Sequence, residues 1–321
     1  MIIIQMKKIS VAVLAGGPST EYEVSINSGK NIFKAIDRKK FSPSWAILSK
    51  HSELKVNGKK ARFPEDLEGF DVVFNAMHGQ FGEDGQVQAI FERVGILFTG
   101  SGSMVSSLAM DKWASFEVFK KIGLRTAPSQ LLINLKVKLR KSLGWPVVLK
   151  PRNGGSSVGV EIVKSEKDLA GGIRRAFKFD SEVVVEKFMA GREFTGGVLE
   201  VNRKLKALPV VEIKPKPKYE FFDYEAKYKT GATDEIVPAE ISAKLAREIQ
   251  NASLKAHRAL KAKVYSRSDF IWSENKLYIL ELNTLPGMTK NSLLPKAATS
   301  VKIDFPHLIE IIIRSSLRKK L

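Results

Sequence analysis

Four polar side chains in the last fifth of the 321-residue sequence have the types and spacing of a metal site. Arg267-Ser268-Asp269-Phe270-Ile271-Trp272 and Lys276-Leu277-Tyr278-Ile279-Leu280-Glu281-Leu282-Asn283 read as two strands linked by Ser273-Glu274-Asn275. Side chains alternate faces along a strand, so Arg267 and Asp269 share one face, and Glu281 and Asn283 share another. Hairpin pairing would set these two polar pairs side by side. Two carboxylates and an amide oxygen on one sheet face form a hard oxygen set, of the kind Mg²⁺ takes alongside phosphate oxygens. Alternating polar residues also mark the solvated face of an antiparallel sheet, and the three oxygens alone leave that plainer reading ahead. The next run, Thr284-Leu285-Pro286-Gly287-Met288-Thr289, is what shifts the balance.

A second group of residues could hold phosphate. Lys150-Pro151-Arg152-Asn153-Gly154-Gly155-Ser156-Ser157-Val158-Gly159-Val160 lies between two expected strands, so it is neither a Walker loop nor a dinucleotide fingerprint. Its glycines let backbone N–H groups turn inward, Ser156 and Ser157 add hydroxyl donors, and Lys150 supplies a point charge. Taken by itself, such a turn usually just connects strands. Lys112, in Met110-Asp111-Lys112, is by itself a solvated lysine at a helix start. Val183-Val184-Val185-Glu186-Lys187-Phe188 with Glu193 is a buried strand with a charged end. Near the start, Gly16-Gly17-Pro18-Ser19-Thr20-Glu21-Tyr22-Glu23-Val24-Ser25 is a strand ending in paired glycines before a helix. His78 sits among glycines and acids in Met77-His78-Gly79-Gln80-Phe81-Gly82-Glu83-Asp84-Gly85, a setting that favours a site role over a structural one.

Together these motifs resemble the D-alanine–D-alanine ligase family of ATP-grasp enzymes, and the likeness runs from Gly16 to Ser292. The strongest part is Leu280-Glu281-Leu282-Asn283-Thr284-Leu285-Pro286-Gly287-Met288-Thr289 followed by Ser292-Leu293. The resemblance implies that Asp269, Glu281 and Asn283 hold two Mg²⁺ (or Mn²⁺) ions against the phosphates of ATP. Arg267 and the Gly287 N–H would stabilise a tetrahedral oxyanion, and Ser292 and Leu293 would take the carboxylate of the second amino acid. Lys112, Lys150, Ser156 and Ser157 would serve the phosphates. Glu186, Lys187, Phe188 and Glu193 would serve the adenine and ribose. Glu21 would bind the ammonium of the first D-alanine, linked to Ser156 and Tyr228, with His78 beside the substrate. The segment from Lys214 to Tyr228 interleaves bases and aromatics like a nucleic-acid patch, yet resembles the family's mobile lid, with Lys227 on ATP. Tyr228 stands where D-lactate-adding relatives tend to carry phenylalanine, which favours an amine acceptor. Two departures are visible: Ser268 replaces a commonly aliphatic residue, and Arg152-Asn153-Gly154 varies within the phosphate loop.

The elements that must position these residues follow from pattern. Ile9–Leu14, Trp45–Leu48, Val72–Asn75 and Ile96–Thr99 read as buried strands alternating with helices, which implies a parallel sheet in a block 1–102. Block 103–189 opens with a helix from Asp111 to Ile122 ended by Gly123, then carries strands Val147–Lys150 and Val160–Lys164. Block 190–321 holds strands near 194–201 and 207–213, a helix from about Ala239 to Leu260, the hairpin, and an amphipathic helix around His307–Leu317. The fold class is therefore α/β, α+β in part. By resemblance it is a three-domain ATP-grasp architecture, with an N-terminal parallel-sheet domain and two domains clasping ATP.

Composition agrees and excludes alternatives. The chain is 44% hydrophobic and has no cysteine, so disulfides and Cys-based zinc sites are out, as suits a reducing cytoplasm. No apolar run approaches the roughly 20 residues of a membrane span. Lys7-Lys8 before an apolar run could pass for a short signal peptide, but the glycines and polar loop after it favour a first buried strand. The net charge of +19 permits nucleic-acid binding, yet the basic residues are spread along the chain and suit steering of anionic small molecules such as ATP. The expected partners are thus ATP and D-alanine, with no nucleic acid and no membrane, and by resemblance a homodimer.

Overall fold

Val11 to Ala15 are fully buried in β1 (Ile9–Gly16), the apolar run at the middle of the first sheet. The computed structural model describes residues 7–135, 138–216 and 233–317. α1 (Tyr22–Ala35) and β2 (Phe41–Leu48) follow, then the short pair β3 (Leu54–Val56) and β4 (Lys59–Ala61), then β5 (Val72–Asn75) and α2 (Gln86–Val94). The sheet order is β4-β3-β2-β1-β5, with β1 parallel to both β2 and β5. Continuous apolar strands fit a sheet covered on both faces. Two expectations need correction. The sheet is mixed, because β3 and β4 add an antiparallel edge. Residues 96–99 form no strand of their own: Phe98 makes one parallel bridge to Val73 before Gly100, at φ +88°, turns the chain away.

α3 (Ser103–Met110) and α4 (Lys112–Lys121) lead to β6 (Ser129–Leu132), β7 (Val147–Pro151), β8 (Glu161–Val163), α5 (Glu166–Ala176) and β9 (Val183–Lys187). Asp111 caps α4 by accepting from Ala114 N at 2.9 Å. The four strands form an antiparallel sheet in the order β6-β9-β7-β8. Period-two alternation divides its faces. Val147, Leu149, Val183 and Val185 pack with Ile173 and Ala176 of α5, so Val148, Lys150 and Glu186 face the other way.

The third sheet contains β10 (Arg192–Val201), β11 (Lys204–Ala207), β12 (Val211–Pro215), β13 (Thr233–Ile236), β14 (Tyr265–Ser273) and β15 (Lys276–Asn283), with α6 (Ala243–Ala259) before the last hairpin. Its path is β13-β12-β10-β14-β15, with β11 beside β10. The single strand expected over 207–213 is two strands, because Pro209 between them offers no N–H to a ladder. Lys214 and Pro215, read as the start of a loop, lie in β12. The α6 helix begins at Ala243 rather than near Ala239, where Ser242 Oγ accepts from Leu245 N at 3.3 Å.

The β14–β15 hairpin departs from the regular pattern in a way that matters. Its loop is two residues, Glu274 and Asn275, both with positive φ, which matches the right-handed strand twist better than a three-residue link. A bulge lies between Asp269 and Phe270: Asp269 pairs with Glu281, but Phe270 pairs with Ile279, leaving Leu280 extra. In an unbroken strand Glu281 would share a face with Leu277 and Ile279, which are buried beneath α4 and α6 with Phe270. The extra residue puts Leu282 into that core instead and turns Glu281 and Asn283 onto the face of Arg267 and Asp269.

Ser268 points into the same core and is fully buried, and among the described residues its hydroxyl finds no hydrogen-bond partner. A buried unpaired hydroxyl costs about 1–3 kcal/mol. Ser268→Ala should therefore raise unfolding stability by about 1 kcal/mol, read from denaturant midpoints; a loss of stability would mean the hydroxyl has a partner after all.

After β15 come α7 (Leu293–Thr299) and α8 (Phe305–Leu317), the second starting slightly earlier than the sequence suggests. Leu308, Ile309, Ile312 and Ile313 of α8 are fully buried in one core with Val11, Val13 and Phe74 of the first sheet and Leu199 of β10. Each such side chain contributes roughly 1.5–3 kcal/mol on burial, so α8 fastens the first sheet to the third. Among the described residues no helix is long and apolar enough to cross a membrane.

Candidate active site

Two adjoining cavities open between the sheets. The smaller, about 150 Å³, lies between the inner face of the four-stranded sheet and the Asp269 face of the third sheet. Val148, Val160, Ile162, Phe188, Met189 and Ile213 make it apolar, while Lys150, Lys187, Glu186 and Glu193 edge it with charge. An apolar slot rimmed by lysines suits a planar base with an anionic tail. The larger, about 670 Å³, continues from it toward the first sheet, and Lys112, Gly154, Gly155 and Glu281 line both.

The loop over the phosphate end is tied down at its root. Arg152 donates from Nε and Nη2 to Asp111 at 2.9 and 2.6 Å and from Nη1 to Glu182 at 2.5 Å. Burial works against ionisation of Asp111, but the Arg152 guanidinium beside it holds its pKa below the usual carboxylate range. Asn153 N donates to Asp180 at 2.8 Å. The Arg152-Asn153 departure noted in the sequence is therefore an anchoring device. Past it, Gly154, Ser156 and Ser157 all have positive φ, as a loop needs to turn several N–H groups to one side. Lys112 donates to Gly154 O at 2.6 Å and Lys150 to Glu186 Oε2 at 2.8 Å, so both expected phosphate lysines reach the cavities.

The wall from the first sheet carries acids. Gly16, at φ +96°, closes the end of β1 so tightly that a side chain would strike Leu48 O. Glu21, nearly buried, donates its N–H to Ser19 Oγ at 3.0 Å and accepts from Ser156 Oγ across the cleft. Gly79 packs against it with φ +72°, and a Cβ there would collide with Ser19 Oγ and Glu21 Oε2. His78 bonds to Glu83 Oε1 through Nδ1 and to Ser28 Oγ through Nε2, both at 2.9 Å. Burial resists charging of the imidazole, but the bond to Glu83 and the charges of Glu83 and Glu21 outweigh it and raise the His78 pKa. Burial raises that of Glu83.

On the third sheet the four residues that began the sequence reading share one face, with Arg267 opposite Asn283 and Asp269 opposite Glu281. Arg267 holds both Asp269 oxygens, at 2.8 and 2.7 Å, and Asn283 Oδ1 accepts from Leu285 N at 2.7 Å. The donor set suits Mg²⁺: two carboxylates in direct register, an amide oxygen beside them, and Glu281 where the two cavities meet. With so few protein oxygens, a bound Mg²⁺ would need further oxygen donors from outside the protein. Farther along, Gly287, Ser292 and Leu293 line the larger cavity, and Ser292 Oγ accepts from Thr289 N at 3.1 Å. Lys227 and Tyr228 lie outside the described residues, as does most of the expected lid.

Several lining residues escaped the sequence reading. Glu83 and Ser28 could have been found only by asking what His78 bonds to. Thr233 and Glu235 reach the cavity from edge strand β13. Lys296 follows Ser292 by one helical turn, a spacing that could have flagged it.

Known proteins can now be set beside this geometry. The N-terminal family model of D-ala D-ala ligases matches residues 10–101, and the C-terminal model matches residues 112–314. The D-alanine–D-alanine ligase of Clostridium beijerinckii is 44% identical over 317 residues, 97% of this chain and 99% of that protein. A crystal structure of the Bacillus anthracis D-alanine–D-alanine ligase complexed with ATP superposes with a TM-score of 0.82 at 33% identity, over 97% of this chain and 98% of that one. The VanG D-Ala:D-Ser ligase of Enterococcus faecalis gives a TM-score of 0.86 at 28% identity, over 97% and 100%. With both family models matched over nearly all of the chain, and a 44% identical relative aligned over 99% of its own length, this chain belongs to the D-alanine–D-alanine ligase family.

Proposed function

We infer that the chain is an ATP-dependent ligase that joins two D-alanines into D-alanyl-D-alanine, a building block of peptidoglycan. The observation that carries the site assignment is the single sheet face bearing Arg267, Asp269, Glu281 and Asn283 where the apolar, lysine-edged cavity meets the polar one. Its fold is the ATP-grasp fold of the family.

The smaller cavity takes adenine and ribose between Phe188, Met189 and Ile213, with Glu193 toward the ribose hydroxyls and Glu186 and Lys187 at the rim. Asp269, Glu281 and Asn283 hold Mg²⁺ (or Mn²⁺), two ions by family kinship, which when bound offset the charge of the phosphates. Lys112, Lys150 and the 154–157 loop add positive charge and N–H donors at the same end, with Ser156 and Ser157 donating hydroxyls. Glu21, fixed by Ser19 and Ser156, receives the ammonium of the first D-alanine, with His78 behind it. One carboxylate oxygen of that D-alanine attacks the γ-phosphorus, the bond to the β-phosphate oxygen breaks, and ADP and an acyl phosphate result. The second D-alanine, its carboxylate on Ser292 and Leu293, attacks the acyl carbon through its amine. Arg267 and the Gly287 N–H take the oxyanion, and the amide forms as phosphate leaves, the nitrogen keeping one hydrogen and releasing the others to phosphate and water. Tyr228 and Lys227 are assigned to closing the site by family kinship.

In this reading 1–102 is the substrate-side domain and 103–189 and 190–321 clasp ATP. Kinship also supports a homodimer working in the cytoplasm. Purified protein given ATP, Mg²⁺ and D-alanine should release phosphate and form the dipeptide. With D-lactate or D-serine in competition at neutral pH, D-alanyl-D-alanine should remain the main product by mass spectrometry. Predominant depsipeptide, or no phosphate release, would overturn the assignment.

A further inference from the structure

The acceptor end of the larger cavity holds an ion pair that none of the roles above uses. Lys296 Nζ donates to Glu235 Oε2 at 2.5 Å, and both residues line the cavity. The pair is well sheltered, with side-chain exposures of 33% for Lys296 and 18% for Glu235. It also joins two separate elements. Glu235 is on β13, in register with Ile213 of β12, and so on the sheet face that carries Glu193, Arg267 and Asp269. Lys296 is on α7, one turn beyond Ser292, and its N–H donates to Ser292 O at 3.0 Å.

We propose that Lys296 is an acceptor-binding residue that takes the carboxylate of the second amino acid together with Ser292, and that Glu235 is the residue that positions it. The proposal rests on the ligase reading given above and extends it to side chains that reading leaves idle. A carboxylate has about four lone-pair sites, and the Ser292 hydroxyl and the Leu293 N–H fill only two of them. An ammonium has three N–H donors, and Glu235 occupies one. A lysine stem is flexible, so without a partner its charge would wander into solvent or toward Glu281 and the phosphates. Glu235 holds it at the acceptor end. The neutral pair also leaves the net charge near the metal-binding face unchanged, so a carboxylate is received without drawing ATP phosphates away from Lys112 and Lys150. The remaining ammonium donors at this place would also select acceptors that have a free carboxylate over those that do not.

The test is two-substrate kinetics on the full chain with saturating ATP and Mg²⁺, resolving the donor and acceptor KM for D-alanine. Lys296→Met should raise the acceptor KM about tenfold or more, and the donor KM by less than about twofold, as loss of one charge-assisted hydrogen bond predicts. Lys296→Arg should recover most of the loss. Glu235→Gln should move the acceptor KM in the same direction by a smaller factor. D-alaninamide, which lacks the carboxylate, provides the decisive arm. Its KM as acceptor should be the same for wild type and Lys296→Met, so the preference for the acid over the amide shrinks in the mutant by the factor that Lys296 supplies. Equal rises for donor and acceptor, an unchanged acceptor KM, or an equal rise for D-alaninamide would each overturn the proposal while leaving the ligase reading in place. A wild-type protein that forms no dipeptide would instead remove the reading on which it rests.

Discussion

Glu281→Gln is expected to cut Mg²⁺-supported phosphate release about a thousandfold and to leave the fold standing. Glutamine keeps the shape of the side chain and one carbonyl oxygen, but removes the negative charge that a small hard cation needs. The effect should be large because Glu281 and Asp269, directly opposite each other across the hairpin, supply both negative charges of the proposed metal set. Stability should not suffer. Glutamine keeps the size of the side chain, and Glu281 lines a cavity wall and is not in the packed core. Thermal unfolding without Mg²⁺ should therefore stay close to wild type, while a titration of rate against Mg²⁺ shifts to higher concentration and lower plateau. An unchanged rate would take Glu281 out of the metal set. A lost fold would make it a structural residue.

Arg267→Lys is expected to lower dipeptide formation about a hundredfold or more, although it conserves charge. Arg267 is a fork: it holds both oxygens of Asp269 while its planar guanidinium borders the larger cavity. Lysine is a single point donor on a flexible stem and cannot hold Asp269 in two-point geometry and face an oxyanion together. ATP affinity should change little, since the apolar slot proposed for the base does not include Arg267. The informative measurement is a comparison of ATP binding with single-turnover dipeptide yield. Parallel losses in both would assign Arg267 to nucleotide binding, and near-normal yield would remove it from the chemistry.

These two residues also show how far local pattern reaches. Their being on one face follows from period two within a contiguous stretch, and the run from Leu280 to Thr289 identifies the chemistry because its functional atoms are neighbours along the chain. The bulge does not follow. A strict alternation puts Glu281 with Leu277 and Ile279, and only the burial of Leu282 in the core shows that one residue is extra. Register is a matter of which pairing buries the most apolar surface, and that is decided by packing under α6 and under α4, the latter far off in sequence. Residues 96–99 illustrate the opposite case. Their apolar run looks like a strand, but a glycine turn allows them a single bridge.

Contacts between distant segments are beyond the reach of local pattern for the same reason. The link between Glu21 and Ser156 is expected only through the family resemblance, and their hydrogen bond spans 135 positions of sequence. Glu235 carries no local signal at all, since its place in the cavity depends on β13 pairing with β12 and on where α7 presents Lys296.

The sequence by itself determined most of the element types, the glycine-rich loop and the family, because each is written in spacings of a few residues. Tertiary structure alone decided which face Glu281 occupies, how α8 locks the first sheet to the third, and which charges meet across the cleft. Those outcomes depend on burial of apolar surface summed over segments far apart in the chain, and no local window contains that sum.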